Sequence, residues 1–421
     1  MTLSMSLIKV EISVPEIVKA IDKFKRNKIK AFEELTNEVS KSVSDSLNKL
    51  LNAEMEFFLG QPEQKSNKRN GYYEREFVLK GIGQLRLRVP KDRHSKFKSV
   101  IVPENERLDS RLKQDLAALH LSGISNRTLS LISKRILGVQ VSPQTVHNSL
   151  ATLEPKALEW LERPLDEDYW ALFIDGTNFK VQRRGSTEKE PTLVVLGINN
   201  RNSFSILAME PGQKDSADSW EAVFTSLIQR GLNTNKVQIG VMDGLPGLEK
   251  KFKEYFTKAV TARCWVHAKK NALQKVSKKL SLAFDEQLSQ VMYANSESSA
   301  RVAFNNLKQH LNKDADRAVK CIEKDLESLL VHYRFEEKFW RTLKTTNPIE
   351  RINKELKRRT KSMEGLGQST LNVVLAFTAM RLEYNWRTTP VDSPKLNNLK
   401  GRREQKQVLN KVEDTLENLI H

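Results

Sequence analysis

The sequence predicts an α/β fold in which a mixed β-sheet is covered by helices on both faces. Residues 171–176 form an apolar run that leads directly into Asp-Gly, and residues 237–244 repeat this design. Between residues 171 and 266, strand patterns come first and then alternate with helical patterns. Because continuous apolar runs are typical of strands buried on both faces, these segments are expected to form the centre of the sheet.

Length and charge limit the possible functions. The 421 residues exceed what one hydrophobic core usually supports, so two or three domains are expected. The chain carries 70 Lys and Arg against 52 Asp and Glu, a formal net charge of +18. An excess of this size attracts polyanions, which makes nucleic acid the leading partner. Lysines that serve only solubility are the alternative.

Cysteine content and hydropathy exclude several classes of protein. Cys264 and Cys321 are the only cysteines, which excludes a disulfide framework and an all-cysteine zinc module. A reducing compartment is therefore expected. No apolar run reaches the roughly 18 residues of a membrane span, and the N-terminus lacks the pattern of a secretion signal. The sequence thus predicts no association with membranes.

Residues 1–62 are predicted to form a helical arm. Ile17, Ile21 and Phe24 share one apolar stripe, while Leu47, Leu50, Leu51 and Met55 share another. Gly60 and Pro62 end the helical pattern.

Residues 74–89 change to an alternating pattern around a glycine turn at 81–83, which predicts a β-hairpin. Its polar face carries Arg86 and Arg88. These arginines either follow a phosphate backbone or simply face solvent, and the pattern does not distinguish the two.

Residues 112–150 predict three short helices. Ser125 and Ser142 are placed to cap the second and third, with a turn at Gly138 between them. The last helix presents Gln144 and Asn148, as the reading helix of a helix-turn-helix does in a DNA major groove. Three-helix units also occur for purely structural reasons. Residues 63–165 are therefore interpreted as a DNA-binding region made of the hairpin and these helices.

The remaining chain is predicted to form a catalytic core with an insertion. Strands are expected at 171–175, 178–183, 192–198, 204–209, around 237–243 and at 259–266. This order of strands and helices is that of the ribonuclease-H-like fold. The predicted segments are the first part of the core at 166–267, an all-helical insertion at 268–344, closing helices at 345–388 and a tail at 389–421.

Two acidic residues terminate the central apolar runs. Asp175 and Asp243 would meet at one edge of the sheet, where two like charges are unfavourable unless a cation or a hydrogen bond offsets them. A metal site is the first hypothesis. Each Asp-Gly taken singly is also an ordinary turn former.

A third acidic residue, Glu350, opens a strongly basic segment. Thr346 or Asn347 is expected to cap a helix with Glu350 in its first turn, where a glutamate can also belong to a capping box. Residues 344–361 contain seven basic and two acidic residues. The basic side chains expected to face DNA phosphates are Arg351, Lys354, Lys357, Arg358 and Arg359. Three carboxylates suit Mg²⁺ or Mn²⁺ rather than structural zinc.

The chain resembles the Mutator-type DDE transposases of bacterial insertion sequences. Four segments carry the resemblance: D-G at 175–176, D-G-L-P-G-L at 243–248, R-C-W-V-H-A-K-K-N at 263–271, and T-T-N-P-I-E-R-I-N-K-E-L-K-R-R-T at 345–360. It extends from about residue 70 to residue 386. The family's basic position after Asp175 could be filled by Lys180, Arg183 or Arg184.

The resemblance implies a ribonuclease-H-like fold, with Asp175, Asp243 and Glu350 as catalytic residues and metal ligands. It implies cleavage and joining of double-stranded DNA, at insertion-sequence ends and target, by two-metal in-line displacement. The protein would be cytoplasmic, bacterial and DNA-associated. Because two ends are brought together, at least a homodimer is expected.

Cys264 and His267 form a C-x-x-H pair. Two ligands do not close a zinc site, so Cys264 is expected to be a buried small apolar residue. His267 is expected to emerge beside the carboxylates, where it could contact a phosphate or orient an acid.

Two other functions fit the same residues. One is a nuclease of the same fold that cuts DNA without joining it. The other is a non-catalytic DNA-binding protein that retains the acidic cluster as scaffold.

Overall fold

The computed structural model describes residues 21–137, 139–183, 186–211, 216–361 and 367–387. Several predictions lie outside these residues: Ile17 in the arm, the turn at Gly138, Arg184 and the tail at 389–421. The side chains of Lys180 and Arg183 are likewise outside what is described. The chain divides into two compact units, one ending at Ser149 and the other beginning at Leu150.

The first unit begins with a long helix and a hairpin. Helix α1 (Lys28–Leu59) is capped by the Asn27 side chain, which accepts a hydrogen bond from the Lys30 amide. Strands β1 (Arg69–Leu79) and β2 (Gly83–Asp92) pair antiparallel, as predicted. Leu51 of α1 packs into an apolar cluster with residues of both strands. Gly81 and Gly83, at φ 81° and 102°, allow the tight turn between the strands.

Three short helices follow the hairpin, as the sequence predicts. They are α2 (Ser110–Leu121), α3 (Asn126–Leu137) and α4 (Pro143–Ala151). The Ser125 hydroxyl accepts from the Thr128 amide at 3.2 Å, and the Ser142 hydroxyl accepts from the Thr145 amide at 3.1 Å. Both predicted caps are therefore confirmed.

The second unit is built around a five-stranded mixed sheet. Helix α5 (Glu154–Leu161) precedes strands β3 (Tyr169–Arg183), β4 (Ser186–Asn199), β5 (Phe204–Pro211), β6 (Ile239–Met242) and β7 (Val260–Arg263). Their order is β5-β4-β3-β6-β7. The first three strands along the chain pair antiparallel, and β6 and β7 run parallel to β3. The predicted mixed α/β class is confirmed.

Two helices cover one face of this sheet. Helices α6 (Ala217–Gln229) and α7 (Pro246–Tyr255) bury Trp220, Phe224 and Phe252 against Leu172 and Ile174 of β3. Because side chains alternate along a strand, Asp175 points to the opposite face.

Several strand boundaries differ from the prediction, and β4, for example, begins at Ser186 rather than at residue 192. The segments predicted as separate strands at 171–175 and 178–183 form the single strand β3, because β4 pairs with it continuously from Ala171 to Arg183. The strand predicted at 259–266 ends at Arg263, and a helix begins at Trp265.

From Trp265 to Leu343 the regular elements are helical, as predicted. They are α8 (Trp265–Leu273), α9 (Ser281–Met292), α10 (Glu297–Leu330) and α11 (Glu337–Leu343). Trp265, Phe284 and Leu307 are among the fully buried residues of their shared core. The closing helices are α12 (Asn347–Thr360), which contacts β3, and α13 (Gln368–Arg387), which contacts β5 and α5.

Within the described part of the chain, no helix is both long enough and apolar enough to cross a membrane.

Candidate active site

Asp175 and Asp243 lie side by side because of the strand register. Ile174 of β3 is the parallel partner of Met242 of β6, and each is followed directly by one of the aspartates. Strand β6 ends at Met242, whereas β3 continues along β4, where Asp175 is paired with Val194. The expectation that the Asp175 strand ends at that residue is therefore wrong. Asp175 is instead buried, with 7% of its surface exposed, beside the point where its neighbour ends.

The turn after Asp243 is held by a hydrogen bond to the aspartate side chain and by the close approach of Arg263 to Gly244. Asp243 Oδ1 accepts a hydrogen bond from the Leu245 amide at 2.9 Å. Gly244 has φ 83°, and a Cβ there would lie 1.1 Å from Arg263 Nη1. Arg263 in turn pairs with Asp325 of α10 at 3.1 Å. The turn-former interpretation thus accounts for one oxygen of Asp243, while Oδ2 has no hydrogen bond or ion pair among the described residues.

Cys264 connects the end of the sheet to the start of α12. Its amide donates to the Met242 carbonyl at 2.8 Å. Its sulfur accepts hydrogen bonds from the Thr346 amide at 3.3 Å and from the Thr346 hydroxyl at 3.4 Å. The next residue, Trp265, donates its amide to the Lys344 carbonyl at 3.0 Å. Cys264 and Thr346 are both fully buried, so this junction is protected from water.

Glu350 is not the partner in a capping box. Helix α12 begins at Asn347 with Thr346 as its cap, which makes Glu350 the fourth helical residue rather than the third. The Thr346 amide, which a capping glutamate would accept from, already donates to Cys264. In the described residues, the Glu350 carboxylate has neither a hydrogen bond nor an ion pair. Its helix contacts β3, the strand of Asp175.

His267 lies where its charge interacts with both aspartates. The pKa of His267 is raised to about 9, because the neighbouring Cys264 sulfur and, with smaller effects, Asp175 and Asp243 favour its charged form over the opposing effect of burial. The charged form of His267 is thus favoured beside the two carboxylates. Its predicted role toward a phosphate stays a prediction.

The three carboxylates do not form a completed metal centre. Across the residues described, no three His, Cys, Asp or Glu side chains are grouped so that they could hold a metal ion. The donor chemistry fits Mg²⁺ or Mn²⁺, since both favour carboxylate oxygens and two of these carboxylates have oxygen atoms not engaged by the described protein groups.

The basic face of α12 carries four of the nine residues predicted to contact DNA. Arg351, Lys354, Lys357 and Arg358 are exposed, although Arg358 pairs with Glu355 at 2.9 Å.

Arg359 is an exception among the basic residues of α12. Only 1% of it is exposed, its guanidinium pairs with Glu355 at 2.8 Å, and it lies 5.1 Å from the centre of the Phe377 ring. The prediction that Arg359 contacts DNA is wrong, because the side chain is buried between α12 and α13.

The predicted DNA contacts of the first unit are all at its surface. Gln144 and Asn148 are exposed on α4, where the Gln144 amide donates to the Asn148 side chain at 2.8 Å. Arg86 and Arg88 are exposed on β2. Arg88 lies 5.1 Å from the Tyr72 ring centre and 3.8 Å from Glu74, so its exposed guanidinium has neighbours on strand β1.

Comparison with known proteins identifies the family. The family model described as "Transposase, Mutator family" matches residues 15–389. The chain belongs to the Mutator family of transposases. This confirms the resemblance that the four sequence segments indicate.

Several curated transposases are similar to this Mutator-family chain. The transposase of insertion sequence element IS905 from Lactococcus lactis is 31% identical over 76% of this chain and 82% of that protein. The transposase of IS256 in transposon Tn4001 from Staphylococcus aureus is 28% identical, over 77% and 83%. The transposase of ISRM5 from Rhizobium meliloti is 27% identical, over 86% and 91%.

Among solved structures, a chain of the Drosophila P element transposase strand transfer complex aligns with 74% of this chain and 91% of that one. The identity is 11% and the TM-score is 0.29, which is too low to define a shared fold.

Thr346 is the residue at the site that the sequence did not reveal as important. Its pattern indicates a helix cap, yet its hydroxyl makes no cap hydrogen bond and contacts Cys264 instead. Thr346 and Cys264 are 82 positions apart in the chain. In the sequence, only the C-x-x-H segment at 264–267 could have indicated that Cys264 has a polar partner.

Proposed function

We propose that this transposase cleaves the ends of a bacterial insertion sequence and joins them to target DNA, using Asp175, Asp243 and Glu350 as a DDE active site. The observation that carries the proposal is the parallel register of β3 and β6, which makes the two aspartates neighbours. Membership of the Mutator family and the names of its insertion-sequence relatives support the DNA-end substrate.

We also propose that the sheet is of the ribonuclease-H-like type. From one edge to the other its strands are β5, β4, β3, β6 and β7, so the first strand of the sheet in chain order, β3, lies at its centre. Strands β3, β4 and β5 pair antiparallel, and β6 and β7 run parallel to β3. A helical region then separates β7 from α12, as expected for an insertion before the glutamate.

In this mechanism the three carboxylates would hold Mg²⁺ or Mn²⁺. When bound, such ions activate the attacking oxygen and stabilise the leaving oxygen of an in-line displacement at phosphorus. Asp243 is held by its turn and Glu350 by the Cys264–Thr346 junction, so both side chains start from fixed backbones. The His267 ring, whose charged form its neighbours favour, would donate a hydrogen bond to a phosphate oxygen. Water or a DNA 3′ hydroxyl acts as the nucleophile, so no covalent enzyme intermediate is required.

The partner in this proposal is double-stranded DNA. The exposed basic residues of α12 would contact the phosphate backbone, and Gln144 and Asn148 would read bases from α4. Bringing two ends together implies at least a homodimer, and the DNA substrate implies action in the bacterial cytoplasm.

The test uses the full chain with the terminal sequences of its own element and Mg²⁺ or Mn²⁺. Intact ends report cleavage, and pre-cut ends with a free 3′ hydroxyl plus a target plasmid report joining. The proposal predicts both products, and it predicts their loss in Asp175→Asn with DNA affinity unchanged. Asp168→Asn, seven residues earlier, is the matched control. Cleavage without joining would favour a nuclease, and binding with neither reaction would favour a non-catalytic DNA-binding protein.

A further inference from the structure

An open cleft lies on the helical region between β7 and α12. It has a volume of about 520 Å³ and is lined by Val266, Lys269, Lys270, Leu273, Gln274, Met292 and Tyr293. The size is within the roughly 300–1,000 Å³ typical of small-ligand sites. Its walls combine apolar side chains, one aromatic ring, one amide and two lysines. This composition suits a flat, partly apolar ligand that carries negative charge beside it.

Tyr293 stands out at this cleft because 69% of it is exposed directly after α9. Single exposed aromatics are common on proteins, and exposure alone indicates nothing. Tyr293, however, is close to a cation: Lys344 Nζ is 5.9 Å from its ring centre and 5.8 Å from that of Tyr333. Tyr333 is anchored, since its hydroxyl donates to the Ala294 carbonyl at 2.7 Å. The exposed Tyr293 ring therefore lies near the Lys344 ammonium group and the anchored Tyr333 ring.

The lysines at the cleft are not all neutralised by acids. Lys269 pairs with Asp285 at 2.8 Å and also donates to the Ser289 hydroxyl. Lys270 is exposed and forms no ion pair within the described ranges. Lys344 is half-buried, and burial lowers its pKa without any acidic partner contributing. Lys270 thus leaves positive charge at the rim of the cleft that can meet a phosphate.

The cleft adjoins the proposed active site. Val266 and Lys270 lie on either side of His267 in the chain, one and three residues away on the same helix. The Lys344 carbonyl accepts from the Trp265 amide, and Lys344 is two residues before Thr346. DNA whose backbone lies beside the aspartates therefore has its neighbouring nucleotides near this cleft.

From these contacts we infer that Tyr293 is a stacking platform for one unpaired nucleobase of the DNA, with Lys270 and Lys344 at its flanking phosphates. The inference rests on the proposed function, because it needs DNA at the adjacent site. Aromatic rings accept any base by stacking, and the gain is largest for a base already out of the duplex stack.

The first experiment measures the affinity of the full chain for two probes, a blunt DNA duplex and the same duplex with a single-stranded thymidine overhang. Tyr293→Ala is expected to weaken overhang binding roughly tenfold and to leave blunt-duplex binding unchanged. Tyr293→Phe and Tyr293→Trp should retain overhang binding, because stacking needs the ring and not the hydroxyl. Leu282→Ala is the control, since Leu282 is 72% exposed in the same helical region.

A second experiment locates the base directly. An overhang carrying 5-iodouracil is irradiated in the complex, and mass spectrometry is expected to find the photo-crosslink on Tyr293. Lys270→Ala should weaken binding of the overhang probe and reduce the salt dependence of that binding by about one phosphate contact.

Equal overhang affinity in Tyr293→Ala and wild type, or a crosslink that falls elsewhere, would overturn the inference. A change of oligomeric state in Tyr293→Ala without a change in overhang binding would overturn it too, because the ring would then contact another copy of the chain. These outcomes leave the proposed function intact. Failure of the wild type to bind either probe or to cleave its element ends would instead remove the proposed function.

Discussion

The sulfur of Cys264 accepts two hydrogen bonds from Thr346, one from its amide and one from its hydroxyl, at 3.3 and 3.4 Å. Both residues are fully buried. Cys264 also follows β7 directly, and Thr346 caps the helix that carries Glu350. This junction therefore fixes the distance between the sheet edge and Glu350.

Replacing the sulfur tests the junction. Cys264→Ala leaves the buried amide and hydroxyl of Thr346 without an acceptor, which is expected to lower the free energy of unfolding by about 1–3 kcal/mol. The rate of cleavage of DNA ends should fall by more than the loss of folded protein explains, because Glu350 loses its fixed position. Urea unfolding and the cleavage rate at saturating DNA measure the two effects.

Cys264→Ser is the control, since its hydroxyl can accept from Thr346 and should restore most of both properties. If Cys264→Ala cleaves at the wild-type rate while folded, the junction does not position Glu350.

Two neighbouring arginines on α12 should behave differently. Arg359→Ala removes a buried guanidinium from Glu355 and from the Phe377 ring, which should cost about 3 kcal/mol of folding stability. Arg358→Ala, at an exposed position, should leave stability within about 0.5 kcal/mol and weaken DNA binding. Denaturant unfolding and DNA affinity at two salt concentrations separate the effects. The reverse pattern would show that Arg359 contacts DNA after all.

The buried His332 is expected to make the free energy of unfolding depend on pH. Burial, and then Lys344, lower the pKa of His332 to about 4, from about 6.5 in the unfolded chain. Between these values the unfolded state binds more protons, so stability is complete above pH 6.5 and falls as the pH drops toward 4. At pH 5 the expected loss from this residue is about 2 kcal/mol.

Urea unfolding at pH 7 and pH 5 measures this loss, with His332→Asn as the comparison. The difference in stability between the two pH values should shrink in the variant. An unchanged difference would mean that His332 is not the residue responsible.

Sequence readout is predicted to depend on α4. Gln144→Ala and Asn148→Ala should each reduce discrimination between the element's end and scrambled DNA by about 1–3 kcal/mol, with little change in binding to scrambled DNA. Competition binding measures both quantities. Lys134→Ala, on the preceding helix, is the control for a general loss of charge. Unchanged discrimination in both α4 variants would mean that this helix is not the reader.

Much of the fold was predictable because its signals are local. The apolar run before Asp175 identified a central strand, and Ser125 and Ser142 identified two helix starts. The end of that strand was missed because it is set by pairing with β4, which lies further along the chain.

The site was predictable in its acidic residues but not in its supporting contacts. The Thr346 pattern indicated a cap, and only the distant Cys264 changes its partner. Arg359 belongs to a basic run, and only the packing of α13 against α12 shows that it is buried. Long-range contacts of this kind leave no periodic signal in one sequence.

Mn²⁺ binding to the full chain, followed by electron paramagnetic resonance, tests most directly whether three distant carboxylates share one metal site. The wild type should bind Mn²⁺ with DNA ends present, and Asp175→Asn, Asp243→Asn and Glu350→Gln should each weaken binding by tenfold or more. Asp168→Asn, seven residues before Asp175 and in only a partly exposed pair with Lys236, should bind as the wild type does. Wild-type Mn²⁺ affinity in folded Glu350→Gln would contradict the account, because the glutamate would then not belong to the site.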